Sequence, residues 1–495
     1  MASSRAMSGS STPSVVILGA GVSGLCMGIQ LLKAGISSFT ILEKSDQVGG
    51  TWFENQYPGA ACDVPSHYYC FSFEPNPEWT HKYSRQPEIQ RYLAHCAQKY
   101  EILPHIRFGT EVASASFDET RAKWRVRTTK GETFEGDVLV SGCGQLNRPF
   151  VPDLPGLSEF EGVSFHSARW NKAHDLAGRN VGVIGNGASA IQFIPFVAKE
   201  AKTLTIFQRS PNWIVPRGDY AYSEKAKQRF RRHPLLLKAY RWFFYLRHEI
   251  NYLAFGAEGR IARFMEKAAR MHMEAHIPDA RLRERLTPDY RVGCKRILID
   301  DDFMPALARP NVHVETAPID RIVRDGVRTR DGKVHACDTL VFATGFETQS
   351  FLAPIQIEGL GGRKLDQVWG KGAEAYLGLT VSGFPNFFMM YGPNTNLGHN
   401  SIIFMIECQV NYALQCIQAL RRRGLRWLDV KSDVQQRYNA ELQRELDDTA
   451  WSAGCKSWYK NAEGKVTNNW SSWTVRYWWR TRRAKLDEFE QVASA

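Results

Sequence analysis

The hydrophobic pattern along the chain sets short, unbroken apolar runs ahead of stretches with helical periodicity, the arrangement of buried parallel strands that feed helices. VVIL at 15–18 is one such run. It leads into Gly19-Ala20-Gly21-Val22-Ser23-Gly24, a helical stretch LCMGIQLLKA closed by Gly35, and a strand SSFTILE ending at Glu43. The order returns at 181: VGVI, then Gly185-Asn186-Gly187-Ala188-Ser189-Ala190, a helix IQFIPFVAKEA, and a strand TLTIFQ followed by Arg209. Pro195 falls inside that second helix and is expected to kink it. Strands are also expected at WRVRTT (124–129) and DVLVSG (137–142). The predicted fold is α/β with two Rossmann-like dinucleotide-binding units.

Each residue of the first turn has a physical task. Gly19 permits the tight turn, Gly21 lets a pyrophosphate approach backbone N–H groups at the helix N-terminus, and Gly24 allows close helix–strand packing. Glu43 can accept hydrogen bonds from a ribose diol. In the second turn Gly185 and Gly187 stand in the same places and Ala190 replaces the third glycine, as the fingerprint allows. Counting 24 residues from the first glycine reaches Glu43 in one copy and Arg209 in the other. An acid at that place would repel a 2′-phosphate, whereas a guanidinium pairs with it bidentately. FAD is therefore expected on the first turn and NADP on the second, which describes a flavoprotein reduced by NADPH.

Composition narrows the rest. The chain has 495 residues, 43% apolar, enough for two or three folded units. Its net charge of +12 is read as attraction for dinucleotide phosphates and as a solvated basic surface, with no nucleic-acid partner, because no Lys/Arg block or aromatic platform accompanies it. Ten cysteines lie scattered without a CxxC or CxxxxC pair, so neither a metal site nor a redox-active disulfide is expected, and all are read as reduced thiols of a cytoplasmic protein. Residues 1–13 read as a loose polar tail. No run approaches the length of a membrane span. Oligomeric state is open, and a monomer is compatible with everything above.

What the electrons reduce is indicated by motifs. Between the two turns lies Phe160-Glu161-Gly162-Val163-Ser164-Phe165-His166-Ser167-Ala168-Arg169-Trp170-Asn171, which resembles the FxGxxxHTxxWP signature of the Baeyer–Villiger monooxygenases, with Ser167 for Thr and Asn171 for the final Pro. Gly49-Gly50-Thr51-Trp52, then Tyr57-Pro58-Gly59, then Asp63 meets a second pattern of that family, and Gly293-Cys294-Lys295-Arg296 resembles the segment that carries its active-site arginine. FATGF at 342–346, GPNTNLGH at 392–399 and SWY at 457–459 extend the likeness from about residue 14 to near 480.

The resemblance implies an FAD- and NADPH-dependent enzyme whose reduced flavin takes up O2 as a peroxide, which attacks a ketone to give an ester or lactone. It implies Arg296 and Asp63 as catalytic residues. Ser23, Thr51, Trp52, Asp63, Tyr69 and Val112 would contact FAD, while Ala188, Ser189, Ser210, Lys295 and Trp458 would join Arg209 at NADP. Phe160, Gly162, His166 and Trp170 would serve domain motion, with His166 orienting domains rather than carrying protons. Independently of the family, a fixed cation suits a reaction that passes through an oxyanion, and a buried arginine needs an anionic neighbour such as Asp63.

The motif positions interleave the chain: an FAD-binding domain from 14–147 and 346–495, an NADP-binding domain from 155–217 and 291–345, and a helical insert at 218–290. The insert, with LLLKAYRWFFYLRHEINYLAF, is expected to pack its aromatic face on the NADP domain; a membrane-surface helix is the alternative. Two rival functions stay open: a flavin monooxygenase of nitrogen or sulfur, and a non-catalytic NADP-binding regulator.

Overall fold

A computed structural model describes residues 12–256, 259–452, 454 and 457–493. Most of the expected N-terminal tail (1–11) and Cys455 lie outside these residues. Two five-stranded parallel sheets carry the fold. The first runs Phe387–Met389, Val138–Ser141, Val15–Leu18, Phe39–Leu42, Ile106–Arg107. The second runs Val312–Glu315, Thr203–Phe207, Asn180–Ile184, Thr339–Phe342, Val163–His166. Val15–Leu18 is buried along its whole length, as a strand covered by helices on both faces must be. In each sheet the strand that precedes the Gly-rich turn is central, so each turn opens into a crevice between diverging connections. The strand 124–129 belongs instead to a four-stranded sheet with Val112–Asp118, Thr133–Gly136 and Gln356–Glu358.

The glycines fit their tasks. Gly19 has φ +92°, and a Cβ on Gly24 would lie 1.9 Å from the Gly19 carbonyl oxygen. Ala190, at the third-glycine place of the second copy, is fully buried and its methyl is accommodated. The helix Ala188–Glu200 continues across Pro195.

The chain crosses between the sheets twice, and the crossing segments run side by side. Pro149 and Phe346 form an antiparallel bridge, Phe150 N–H donates to the Gly345 carbonyl (2.9 Å), and Glu347 N–H donates to Arg148 (2.9 Å).

The insert departs from expectation. Its helices are Glu224–Arg232, Pro234–Ile250, Arg260–His276 and Ala280–Leu286. Phe230, Leu237, Phe244, Tyr245 and Phe255 join the core of the first sheet, while Met273, Ile277 and Leu286 join that of the second. The aromatic part thus packs on the FAD side, where the ring of His67 meets Phe230 (4.7 Å between centroids) and Tyr245 meets Phe404 (5.2 Å). Periodicity defines a face but not its partner; here the loop around 67–71 supplies rings that meet the insert. Among the described residues no helix is long and apolar enough to cross a membrane.

Gly24→Ala should lower stability by about 1–3 kcal/mol through overpacking of the strand–helix contact. A guanidinium unfolding midpoint unchanged from wild type would show that this spacing is looser than described.

Candidate functional site

At the first turn, Gly21 precedes the helix Val22–Lys33 and faces Gly50: a Cβ on Gly50 would lie 3.1 Å from the Gly21 Cα. The two bare backbones make a cradle that side chains would fill. Ser23 is buried in the helix's first turn. The buried Glu43 accepts from Ala20 N–H at Oε2 (2.6 Å) and from Ser45 N–H at Oε1 (2.8 Å). Each oxygen retains a lone pair for a hydroxyl donor. A cleft of about 720 Å³ opens beside it, with Lys44, Ser45, Glu111 and Trp170 among its walls. Val112 begins the neighbouring strand. Thr51 opens the short helix Thr51–Glu54, and Trp52 behind it donates its indole N–H to the Tyr69 hydroxyl (3.1 Å). This donor set and cradle fit a dinucleotide.

The second turn is more open. Gly185 has φ +105°, and a Cβ on Gly187 would meet nothing within 4 Å, leaving room for a phosphate above the first turn of the helix, where Ala188 is exposed and Ala190 buried. Arg209 is exposed at the end of its strand. Lys295 Nζ donates to Ser210 Oγ (2.7 Å) and lies 4.4 Å from the centre of the Tyr290 ring. Burial first, and then the nearby charge of Arg209, hold the Lys295 ammonium below its usual range. Two cations set close enough to repel are suited to a doubly charged anion such as a 2′-phosphate.

A loop of the first fold is fastened to this second site. The Tyr57 hydroxyl donates to Gln192 Oε1 (3.0 Å) and is hydrogen-bonded with Ser189, and Gln192 Nε2 donates to the Ala61 carbonyl (3.1 Å). Gly59 is tight because a Cβ there would lie 2.4 Å from the Phe196 ring. The YPG pattern therefore fits the loop against the second helix, a role its sequence does not disclose.

Asp63 follows directly, and Arg296 Nη2 donates to its Oδ2. Arg296 comes from the segment before the strand Leu298–Ile299, so the ion pair joins the two folds. The side chains keep 31% and 33% of their surface open, Arg296 and Asp63 respectively, so the pair is partly open rather than sealed in a core. Burial pushes the Asp63 carboxyl upward, but the charge and hydrogen bond of Arg296 outweigh it and hold the group below the usual carboxylate range. Asp63 in turn raises Arg296 further above its ordinary value. Arg296 is a permanent cation held in one place.

Three neighbours of the pair escaped the motif reading. Tyr391 and Tyr459 both feel the Arg296 charge; burial is the main cause that pushes the Tyr459 hydroxyl up to about 12, and it raises Tyr391 as well. Arg217 is buried, donates to the Cys62 carbonyl (3.2 Å), and adds a second positive charge that holds the Asp63 proton off. Tyr391 and Tyr459 flank GPNTNLGH and end SWY, so their segments were visible while their convergence was not. Trp458 lies against Tyr459 (4.5 Å between ring centres), and its carbonyl accepts from Gln349 Nε2 (2.7 Å) and Asn468 Nδ2 (2.8 Å). Cys294 corrects the expectation of ten reduced thiols: it is disulfide-bonded, while Cys26, Cys62 and six others are free. Local spacing cannot show a pairing that only the tertiary fold creates.

The signature segment lies under the crossing strands. His166 ends its strand with its ring against Phe346 (5.9 Å), and its Nδ1 accepts from Ala168 N–H (3.1 Å). Burial holds its pKa down at about 4, so the ring is neutral at neutral pH. A Cβ on Gly162 would overlap the Asp338 carbonyl (2.4 Å) and the Phe160 ring (2.5 Å). Trp170 packs on Phe165 and Phe193, the latter in the second nucleotide helix (5.2 Å each). Asn171, where the family has Pro, closes the turn through Oδ1, which accepts from Ala173 N–H (3.1 Å).

Comparison with known proteins agrees with this geometry. The family model described as flavin-binding monooxygenase-like matches residues 12–240. A Baeyer-Villiger monooxygenase of Pseudomonas aeruginosa is 43% identical over 99% of this chain and 94% of its own. Among solved structures, OTEMO in complex with FAD and NADP superposes with a TM-score of 0.88 at 27% identity, covering 98% of this chain and all of the other. The closed form of cyclohexanone monooxygenase gives 0.87 at 27% identity, over 97% of this chain and 99% of its own. With two nucleotide cradles, a fixed arginine between them and relatives matched along nearly its whole length, the chain belongs to the Baeyer–Villiger monooxygenases.

Proposed function

We propose that Arg296, held by Asp63 at the junction of the two folds, stabilises the negative charge that develops on a ketone oxygen while one atom of O2 is inserted beside the carbonyl. The chain is an FAD-dependent monooxygenase that uses NADPH: ketone, O2, NADPH and a proton give an ester or lactone, NADP and water. Bound FAD, reduced by NADPH, supplies the activated oxygen. The observation that carries the assignment is the Arg296–Asp63 pair, because an always-charged guanidinium with restricted freedom needs no reorganisation as charge appears.

The other residues bind and orient. The Gly21–Gly50 cradle, Ser23, Thr51, Trp52, Tyr69 and Val112 receive FAD, and Glu43 accepts from its ribose. Gly187, Ala188 and Ser189 present the helix N-terminus to the NADP pyrophosphate, and Arg209 with Lys295 and Ser210 holds the 2′-phosphate. Trp458 and Tyr459 close the side of the pocket next to Arg296. Neutral and buried, His166 is a joint between the crossing segments rather than a proton carrier. The domain division follows: 14–147 with 346–495 around FAD, 155–217 with 291–345 around NADP, and 218–290 spanning both. The NADPH requirement supports a cytoplasmic location.

The purified, flavin-loaded protein should convert cyclohexanone to its lactone with NADPH in air and leave a tertiary amine unoxidised; N-oxide without lactone would point to nitrogen oxygenation. Arg296→Ala should keep the yellow cofactor and lose roughly 10²–10³-fold in kcat for ester formation. Retained turnover would take Arg296 out of the chemistry.

Arg209→Ala should raise the KM for NADPH and leave that for NADH nearly unchanged. Equal weakening of both would reject the 2′-phosphate assignment.

The pair also has a pH signature. The Asp63 carboxyl is depressed when folded, so its contribution to stability is complete above the unfolded value of about 3.9 and is lost as pH falls through the folded one. Asp63→Asn should be less stable than wild type at neutral pH, with the gap in unfolding midpoint closing on acidification below about pH 4. A gap independent of pH would mean that packing, not charge, is what the substitution removes.

A further inference from the structure

Helix Pro234–Ile250 buries one face in the first core, yet its outer face is apolar too. Trp242, Leu246 and Ile250, four residues apart, stand 59%, 57% and 54% exposed in one stripe. Leu235, Leu236 and Phe243 widen it. The helix's one acid, Glu249, is turned inward: Oε1 accepts from Val475 N–H (2.9 Å), and Oε2 accepts from Thr474 Oγ1 (2.7 Å) and Asn400 Nδ2 (2.8 Å). That carboxylate ties on the helix Thr474–Thr481, whose exposed residues are Val475, Trp478 and Trp479. The Arg482 guanidinium lies 3.4 Å from the centre of the Trp479 ring and 5.7 Å from that of Trp478. The exposed charges on the first helix, Lys238 and Arg247, are both basic.

Apolar surface this continuous marks an interaction site rather than a free face. A second copy of the chain is a poor occupant, because a twofold contact sets this face against itself and brings like charges together. An anionic bilayer surface answers both features. Leu and Ile reach the acyl boundary, Trp side chains settle at headgroup depth, and Lys and Arg meet the anionic headgroups. The chain's net charge of +12 adds long-range attraction.

We propose that the outer faces of helices Pro234–Ile250 and Thr474–Thr481 dock the protein reversibly on anionic lipid bilayers. The helices lie in the interface plane, since neither is a candidate span among the described residues.

Sedimentation of the full-length flavin-loaded protein with vesicles reads this surface without turnover. Protein should pellet with phosphatidylcholine vesicles that contain phosphatidylserine, pellet less with phosphatidylcholine alone, and be released by high salt. The triple variant Trp242→Gln, Leu246→Gln, Ile250→Gln should lose roughly tenfold or more in vesicle affinity while keeping its flavin and its melting temperature. Lys238→Glu, a reversal of one exposed charge with no core contact to disturb, should weaken binding to the phosphatidylserine vesicles and leave the weaker binding to phosphatidylcholine unchanged. Protein that stays in the supernatant with both lipids would overturn the proposal. So would a concentration-dependent dimer in sedimentation velocity that the triple variant abolishes, which would assign the face to a second copy.

Discussion

The structure turns on the ion pair between Arg296 and Asp63. Each residue belongs to a different nucleotide-binding fold, so the pair exists only when both sheets are formed and correctly set against each other. Removing two charges from water is costly, and their mutual attraction offsets this only with good geometry and further partners. Here the partners are unequal. Arg217 reinforces the carboxylate, while the buried hydroxyls of Tyr391 and Tyr459 lie within the field of the guanidinium. The result is a cation whose position is fixed by one carboxylate and about a third of whose surface stays open.

What the sequence disclosed was whatever acts locally. Gly19, Gly24 and Gly185 are legible because positive φ or close backbone approach leaves no other choice of residue, and a Cβ at Gly24 meeting the Gly19 carbonyl is the same constraint seen in space. The opposite charges at Glu43 and Arg209 are legible because each sits at the end of a strand at a fixed count from its turn. Contacts between distant segments were not. Aromatic spacing in 234–250 announced a buried face without saying that rings at 67 and 404 would cover it. Cys294 looked like one of ten equivalent thiols until the fold supplied its partner. Arg217, buried near Asp63, carried no motif at all.

Charge is distributed to match these tasks. The acid at the first site accepts from two backbone amides, whereas the second site sets Lys295 near enough to Arg209 for that charge to add to burial in disfavouring its ammonium. Relief of that repulsion is the physical ground for the proposed preference for a ligand with a 2′-phosphate.

The stretch 57–63 then connects binding to chemistry. Tyr57, Gly59 and Ala61 rest on the second nucleotide helix through Gln192 and Phe196, and Asp63 comes only two residues after Ala61. Any shift of that helix toward or away from the first sheet must therefore be shared by the residue that fixes Arg296. The crossing segments meet at Pro149 and Phe346, and the His166 ring, neutral because burial lowers its pKa, packs against Phe346 without placing a charge there. One loop thus rests on the second nucleotide helix and also carries the carboxylate that holds Arg296, which gives a physical reason for the YPG and Asp63 positions to occur together.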